Sequence, residues 1–258
     1  MQPNGASVFL TIVNSLLSDN DATTGGGAVA LLTDSLAFNQ LFMQQVAITF
    51  VDCIFQNNVV QSTSLAAFGG SGGSVSLLPL MHANAAYNFR IQSCIFKNSV
   101  LIDSGLQSSY ISQAGGAVAV IPLISVSSLS PASYLNLSII DSVFSNNYAT
   151  SLANTVGGGA LYFGFSSAEF DATSPVTVSL EMVGNVFSDN SAVLSGASSS
   201  SSSAYGGAVV ISWNVGFDYG TTSASPIQFT TLVVNNTFSS NFLAGNTLQG
   251  VSASLGGG

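Results

Sequence analysis

Apolar side chains recur at every second position in six short stretches of this chain. Val8, Leu10 and Ile12 open the series. They are followed by Val46, Ile48 and Phe50, by Tyr87, Phe89 and Ile91, by Leu135, Leu137 and Ile139, by Val178, Leu180 and Met182, and by Phe229, Thr231 and Val233. The positions between them are mostly polar or small, among them Thr11, Thr49, Asn88, Arg90, Asn136, Ser138, Ser179 and Glu181. A period of two sends successive side chains to opposite faces of a strand, so each stretch predicts a strand with one face buried.

The parity then breaks at Asn14, Asp52, Ser93, Asp141, Gly184 and Asn235. Asn, Asp and Gly accept left-handed backbone, which predicts a bend and a second strand beyond it. That second strand carries a recurring segment: a small or polar residue, an aliphatic one, Phe, two polar residues and Asn. The Phe slot holds Leu17, Phe55, Phe96, Phe144, Phe187 and Phe238, and the Asn slot holds Asn20, Asn58, Ser99, Asn147, Asn190 and Asn241. After a variable stretch comes a Gly-Gly-Ala-aliphatic step at Gly26 to Val29, Gly115 to Val118, Gly158 to Leu161 and Gly206 to Val209, with Gly-Gly-Ser-Val at Gly72 to Val75. It predicts a third strand, with Val29, Val75, Val118, Leu161 and Val209 in one row.

The Phe slots lie 38, 41, 48, 43 and 51 residues apart. A repeat of this length implies a solenoid, a propeller or an array. Propeller blades need hairpins of steady length, whereas here the gap from the Phe slot to Gly-Gly runs from 9 to 19 residues. A solenoid tolerates that, because each coil pairs only with its neighbours and loops protrude between strands. The fold predicted is all-β: a parallel β-helix of about six coils, with three short strands per coil and variable loops, roughly 29 Å long at about 4.8 Å per coil. A right-handed sense follows from the general crossover preference. Stacked Phe55, Phe96, Phe144, Phe187 and Phe238, with a ladder of Asn58, Asn147, Asn190 and Asn241, would fix the register.

The pairing of Gly-Gly-Ala-(Ile/Leu/Val) with Phe-x-x-Asn resembles the repeat of the chlamydial polymorphic outer membrane proteins and of related pectin-lyase-like β-helix proteins. The resemblance runs from Leu17 to Gly258. It implies a surface-exposed or secreted right-handed β-helix serving in adhesion or as an extracellular scaffold. The chain departs from the bacterial proteins in its very low Lys content and in having no C-terminal membrane barrel.

The 258 residues suit one continuous β-helix segment, 1–258, better than two globular domains. Only 5% of residues are charged, and the net charge of −9 leaves Arg90 and Lys97 as the only cations. Nucleic acid, which needs a basic surface, is thereby excluded as a partner. No apolar run approaches the roughly 18 residues that would cross a bilayer as a helix. Met1 is followed by Gln-Pro-Asn-Gly, which does not read as a secretory signal, and Gly256 to Gly258 falls where a further strand would begin. The expectation is of a longer array, in which these coils meet further coils of the same polypeptide or copies of the chain, head to tail.

Candidate chemistry is sparse. Cys53 and Cys94 share one slot of consecutive coils, where stacked Cα atoms about 4.8 Å apart would allow a disulfide; buried free thiols are equally compatible with the slot. Asn136 and Asn235 open N-glycosylation sequons, Asn136 in an outward row and Asn235 at the bend. Asp52 and Asp141 share a slot two coils apart, Asp19 and Asp189 another at opposite ends, and Arg90 is the sole guanidinium. Carboxylates so dispersed form no acid/base pair beside a cation, and the reading is no catalytic residue, no cofactor and no metal site. His82 stands alone in a loop, Asp19 and Asp21 read as a solvated turn, and Gly69-Gly70-Ser71-Gly72-Gly73 lacks the Lys of a phosphate loop. Ser198 to Ser203 reads as a carrier of O-linked sugars or a spacer. Trp213, Phe217 and Tyr219 offer aromatic faces for a sugar or a partner, although packing against the solenoid is the commoner role of such residues.

These readings converge on a non-catalytic structural or adhesive β-helix, extracellular or on the cell surface, with further coils, copies of itself, cell-surface ligands or glycans as partners. The alternative is a carbohydrate-binding or carbohydrate-active protein on the same fold. Ice binding would need regular Thr rows, which Thr11, Thr49 and Thr230 do not make.

Overall fold

The computed structural model describes residues 7–23, 25–32, 45–62, 72–81, 85–103, 115–124, 133–151, 156–166, 176–195, 203–214, 227–245 and 252–254. Among these residues every named element is a strand, and every pairing is parallel between consecutive coils. The molecule is a right-handed parallel β-helix of about six coils.

The alternating stretches form the first sheet, with Ser7–Val13, Gln45–Val51, Ala86–Gln92, Ser133–Ile140, Val176–Val183 and Ile227–Val234 in sequence order. Its register is the one the pattern implies: Tyr87 lies between Val46 and Leu135, and Ile139 between Ile91 and Met182. The Phe-bearing strands stack as the second sheet, from Leu16–Ser18 to Thr237–Ser239. The strands that open after Gly-Gly, from Val29–Leu32 to Val209–Asn214, form a further sheet in which Val75 lies between Val29 and Val118.

Each coil also holds a strand beyond the three that the sequence predicts. Asp21–Ala22, Val59–Ser62, Val100–Asp103, Tyr148–Ser151, Ser191–Leu194 and Phe242–Gly245 build a six-stranded sheet directly after the Asn slot. These strands are two to four residues long, too short to display an alternation of their own. They are set off by a second left-handed residue per coil: Asp19, Asn57, Asn98, Asn146, Asp189 and Ser240 have φ between 53° and 57°. The first bend is left-handed too, from Asn14 at 49° to Gly184 at 69°. Even the turns pair, since Asp52 donates its amide to the Gln92 carbonyl at 3.1 Å and Asp141 to that of Val183 at 2.9 Å.

The interior is one continuous apolar column lined by the first sheet, the Phe-bearing sheet and the sheet after Gly-Gly. Phe55, Phe96, Phe144, Phe187 and Phe238 stack with centroids 4.5 to 4.9 Å apart and planes within 11° of parallel. Offset stacking at that spacing adds to the burial energy, which is roughly 1.5–3 kcal/mol for each ring. The extra sheet packs its inward residues into separate small clusters, Val60 with Leu101 and Ala149 with Ala192 and Leu194.

The Gly-Gly step has a steric cause. A Cβ on Gly116 would overlap the carbonyl oxygen of Gly159 on the next coil, and one on Gly73 that of Gly116. The second glycine lets neighbouring coils approach at the corner.

Candidate functional surfaces

Two polar rails run along the solenoid, one at each left-handed turn, the first built mostly from Asn amides and the second from Ser, Cys and Asn. In the Asn rail, Asn147 donates its backbone N and its Nδ2 to Asn190 Oδ1 at 3.1 and 2.9 Å, and Asn190 repeats this toward Asn241 at 3.0 and 2.9 Å. Each Nδ2 also reaches the Phe-slot carbonyl of the preceding coil: Asn147 to Phe96, Asn190 to Phe144 and Asn241 to Phe187, at 2.9 to 3.1 Å. Asn58, Asn147 and Asn190 are fully buried, and their side chains are satisfied by the adjacent rungs and by strand carbonyls, Asn58 by Asn20, Leu17 O and Ser74 Oγ.

Ser99 interrupts this rail, and Ser74 repairs it. Where the other coils have Ala28, Ala117, Ala160 and Ala208, the second coil has Ser74. Its hydroxyl accepts from Asn58 Nδ2 at 3.0 Å and pairs with Ser99 Oγ at 2.7 Å, while the Ser99 amide donates to Asn147 Oδ1 at 3.0 Å.

The second rail holds Ser15, Cys53, Cys94, Ser142, Asn185 and Asn236. Asn185 donates through N and Nδ2 to Asn236 Oδ1 at 3.0 and 2.9 Å, and Ser142 N to Asn185 Oδ1 at 2.9 Å. Sequence reasoning missed this rail because its slot changes residue type, although every occupant is a small hydrogen-bonding side chain. Ser15 and Ser142 bond the carbonyl two residues earlier, at 2.8 and 2.9 Å, and Cys53 and Cys94 do the same through sulfur at 3.2 Å. Both cysteines are free thiols in the structure. Burial is the main cause that pushes the Cys94 thiol up to about 11.

The outward face of the first sheet is polar around Arg90, Ser138 and Glu181, which stand in one column on successive coils. Arg90 is exposed and donates to Gln92 Oε1 at 2.6 Å, while Ser138 Oγ donates to Glu181 Oε2 at 2.7 Å. Asn136 is exposed on this face, beside a Tyr134 that keeps 53% of its surface. Asn235 is exposed at the first turn with φ 55°. A different surface follows the corner between the first two sheets, where Leu16, Ile54 and Ile95 project outward at 61%, 37% and 37% exposure.

Asp52 and Asp141 are exposed at equivalent turns, separated by the coil that carries Ser93. Asp19 accepts from Asn57 Nδ2 at 3.0 Å, and this bond holds its carboxyl below the usual range. Among the described residues no three His, Cys, Asp or Glu side chains come together as a metal site, and no helix is long and apolar enough to cross a membrane. Trp213 lies on the strand Val209–Asn214 in register with Phe165. Phe217, Tyr219, His82, Gly69 to Ser71, Ser198 to Ser202 and Gly256 to Gly258 lie outside the described residues.

Comparison with family models, with curated proteins and with solved structures gives no match.

Proposed function

We propose that the chain is a non-catalytic structural and adhesive β-helix, a rod segment of an extracellular, cell-surface or filament protein. Its end coils receive further coils of the same kind, from its own polypeptide or from a second copy. The observation that carries this reading is the direction of the Asn rail: amides donate to the Oδ1 of the next coil, from Asn20 to Asn58 at one end and from Asn190 to Asn241 at the other, with Ser74 bridging the one step where Ser99 stands. A coil added at either end meets the chemistry found inside the stack.

Apolar area supports the same reading. Val8, Leu10 and Val233 keep 44%, 37% and 48% of their surface, whereas their equivalents on the second to fifth coils keep 0–2%. Covering such residues drives association, and the head-to-tail contact is heterologous, so it need not close. The aliphatic corner at Leu16, Ile54 and Ile95 supplies a lateral contact surface of the kind that marks interaction sites.

Concentration-dependent sedimentation with negative-stain imaging tests the proposal. Rods longer than the roughly 29 Å of six coils are expected, together with no release of sugar from acidic or neutral polysaccharides. Compact particles at every concentration, or turnover that disappears in Arg90→Ala or Asp141→Asn, would overturn it.

A second reading, saccharide binding without turnover, is favoured by one observation: exposed Tyr134 beside Asn136 on the sheet face that carries Arg90. Aromatic stacking with polar neighbours suits a sugar. Tyr134→Ala would then weaken retention on immobilised glycans at least about tenfold, some 1.4 kcal/mol.

A further inference from the structure

The chain has two cysteines, and the rod reading makes no use of them. They occupy one rung of the second rail. Ile54 pairs in register with Ile95, and the Ile95 amide donates to the Cys53 carbonyl at 2.9 Å. Cys53 and Cys94 are therefore stacked neighbours with Cα atoms about 4.8 Å apart, inside the span of a disulfide. Their side chains point the same way, each thiol bonding the carbonyl two residues earlier, and both are fully buried. The four other coils fill this slot with Ser15, Ser142, Asn185 and Asn236, so the only cysteines of a 258-residue chain are juxtaposed.

We propose that Cys53 and Cys94 are a cross-coil disulfide site whose redox state is set during folding. The open chain is oxidised by a small-molecule disulfide such as oxidised glutathione, whereas the folded dithiol is closed to the same reagent. In the open chain the Cys53 thiolate attacks one glutathione sulfur, forming a mixed disulfide and releasing one glutathione thiolate. The Cys94 thiolate then attacks the Cys53 sulfur, the new S–S bond forms, and the second glutathione leaves. Two electrons pass from the protein to the reagent, and the two cysteine protons end on the two glutathione thiols.

Folding closes this route in two ways. Burial denies the reagent an approach to either sulfur. It also leaves Cys94 with a pKa of about 11, which gives about a hundredfold less thiolate than an ordinary thiol near 9, and the thiolate is the nucleophile.

The test uses the full chain, unfolded in denaturant and refolded either with reduced thiol or with a glutathione redox buffer. Intact mass should show the glutathione-refolded chain lighter by two hydrogens, and its melting temperature should exceed that of the dithiol. The chain refolded with reduced thiol should stay unreacted toward oxidised glutathione and toward a thiol-titrating reagent at least about a hundredfold longer than the unfolded chain. The Cys53→Ser/Cys94→Ser variant supplies a hydroxyl that keeps the hydrogen bond to the turn carbonyl, as Ser15 and Ser142 do, and serves as the folding control. If glutathione refolding yields a β-rich chain with both thiols free, or if the oxidised chain cannot regain the β signal that the control regains, the disulfide site is overturned. If the folded dithiol oxidises as fast as the unfolded chain, the dependence on folding is overturned.

Discussion

The side chain of Asn190 donates twice and accepts twice: it gives to Phe144 O and Asn241 Oδ1 and receives from the N and Nδ2 of Asn147. Replacing it with Leu conserves bulk but strands buried partners on both adjacent coils, so Asn190→Leu should lower unfolding stability by about 3 kcal/mol or more, read from urea denaturation. Phe144→Ala removes a ring stacked between Phe96 and Phe187 and should cost roughly 3–5 kcal/mol in the same measurement. The Ser74–Ser99 pair makes a sharper test. Ser99→Asn alone brings a larger amide against the Ser74 hydroxyl and should destabilise, whereas Ser74→Ala/Ser99→Asn restores the arrangement of the other coils. The double-mutant cycle should return about 1–3 kcal/mol of coupling. The Asn rail was legible in the sequence because Phe-x-x-Asn recurs at fixed spacing. The role of Ser74 was not, since its partner lies 25 residues away, at a different corner of the coil.

Strands of seven or eight residues in the first sheet display their alternation openly, and their register followed from lining up the Phe slots. The sheet after the Asn slot escaped because its strands, such as Tyr148–Ser151, are set by a turn rather than by a pattern. Asn57, Asn98 and Asn146 signal that turn through their tolerance of left-handed backbone, but Ser240 carries no such signal. The glycines act at the same scale. Gly116→Ala forces a methyl group into the Gly159 carbonyl, and no rotamer change relieves a backbone contact. A loss of at least about 2 kcal/mol is expected, with weakened pairing between Val118–Val120 and Leu161–Ser166 visible as faster amide exchange there.

With 5% of its residues charged, the whole molecule has few groups through which pH can act on stability. Cys94 is one. Its folded pKa, about 11, lies above its ordinary value near 9, so between those values the folded state holds a proton that the unfolded state has released. Its contribution is complete below about pH 9 and is lost as pH rises through about 11. The dithiol chain should therefore melt at progressively lower temperature across that interval, and Cys94→Ser should flatten this part of the profile while keeping the hydrogen bond to Gln92 O. The rails carry a consequence of another kind. Where a coil carries Asn in the rail, what it offers on one side is what it requires on the other, so a copy of the coil of Asn185 and Asn190 can be spliced beside its original without redesigning either junction. The unequal spacings of the Phe slots, 38 to 51 residues, are what lineages of such duplicates would leave once their loops diverged and their rungs did not. Length, in this architecture, is a heritable quantity that changes by whole coils.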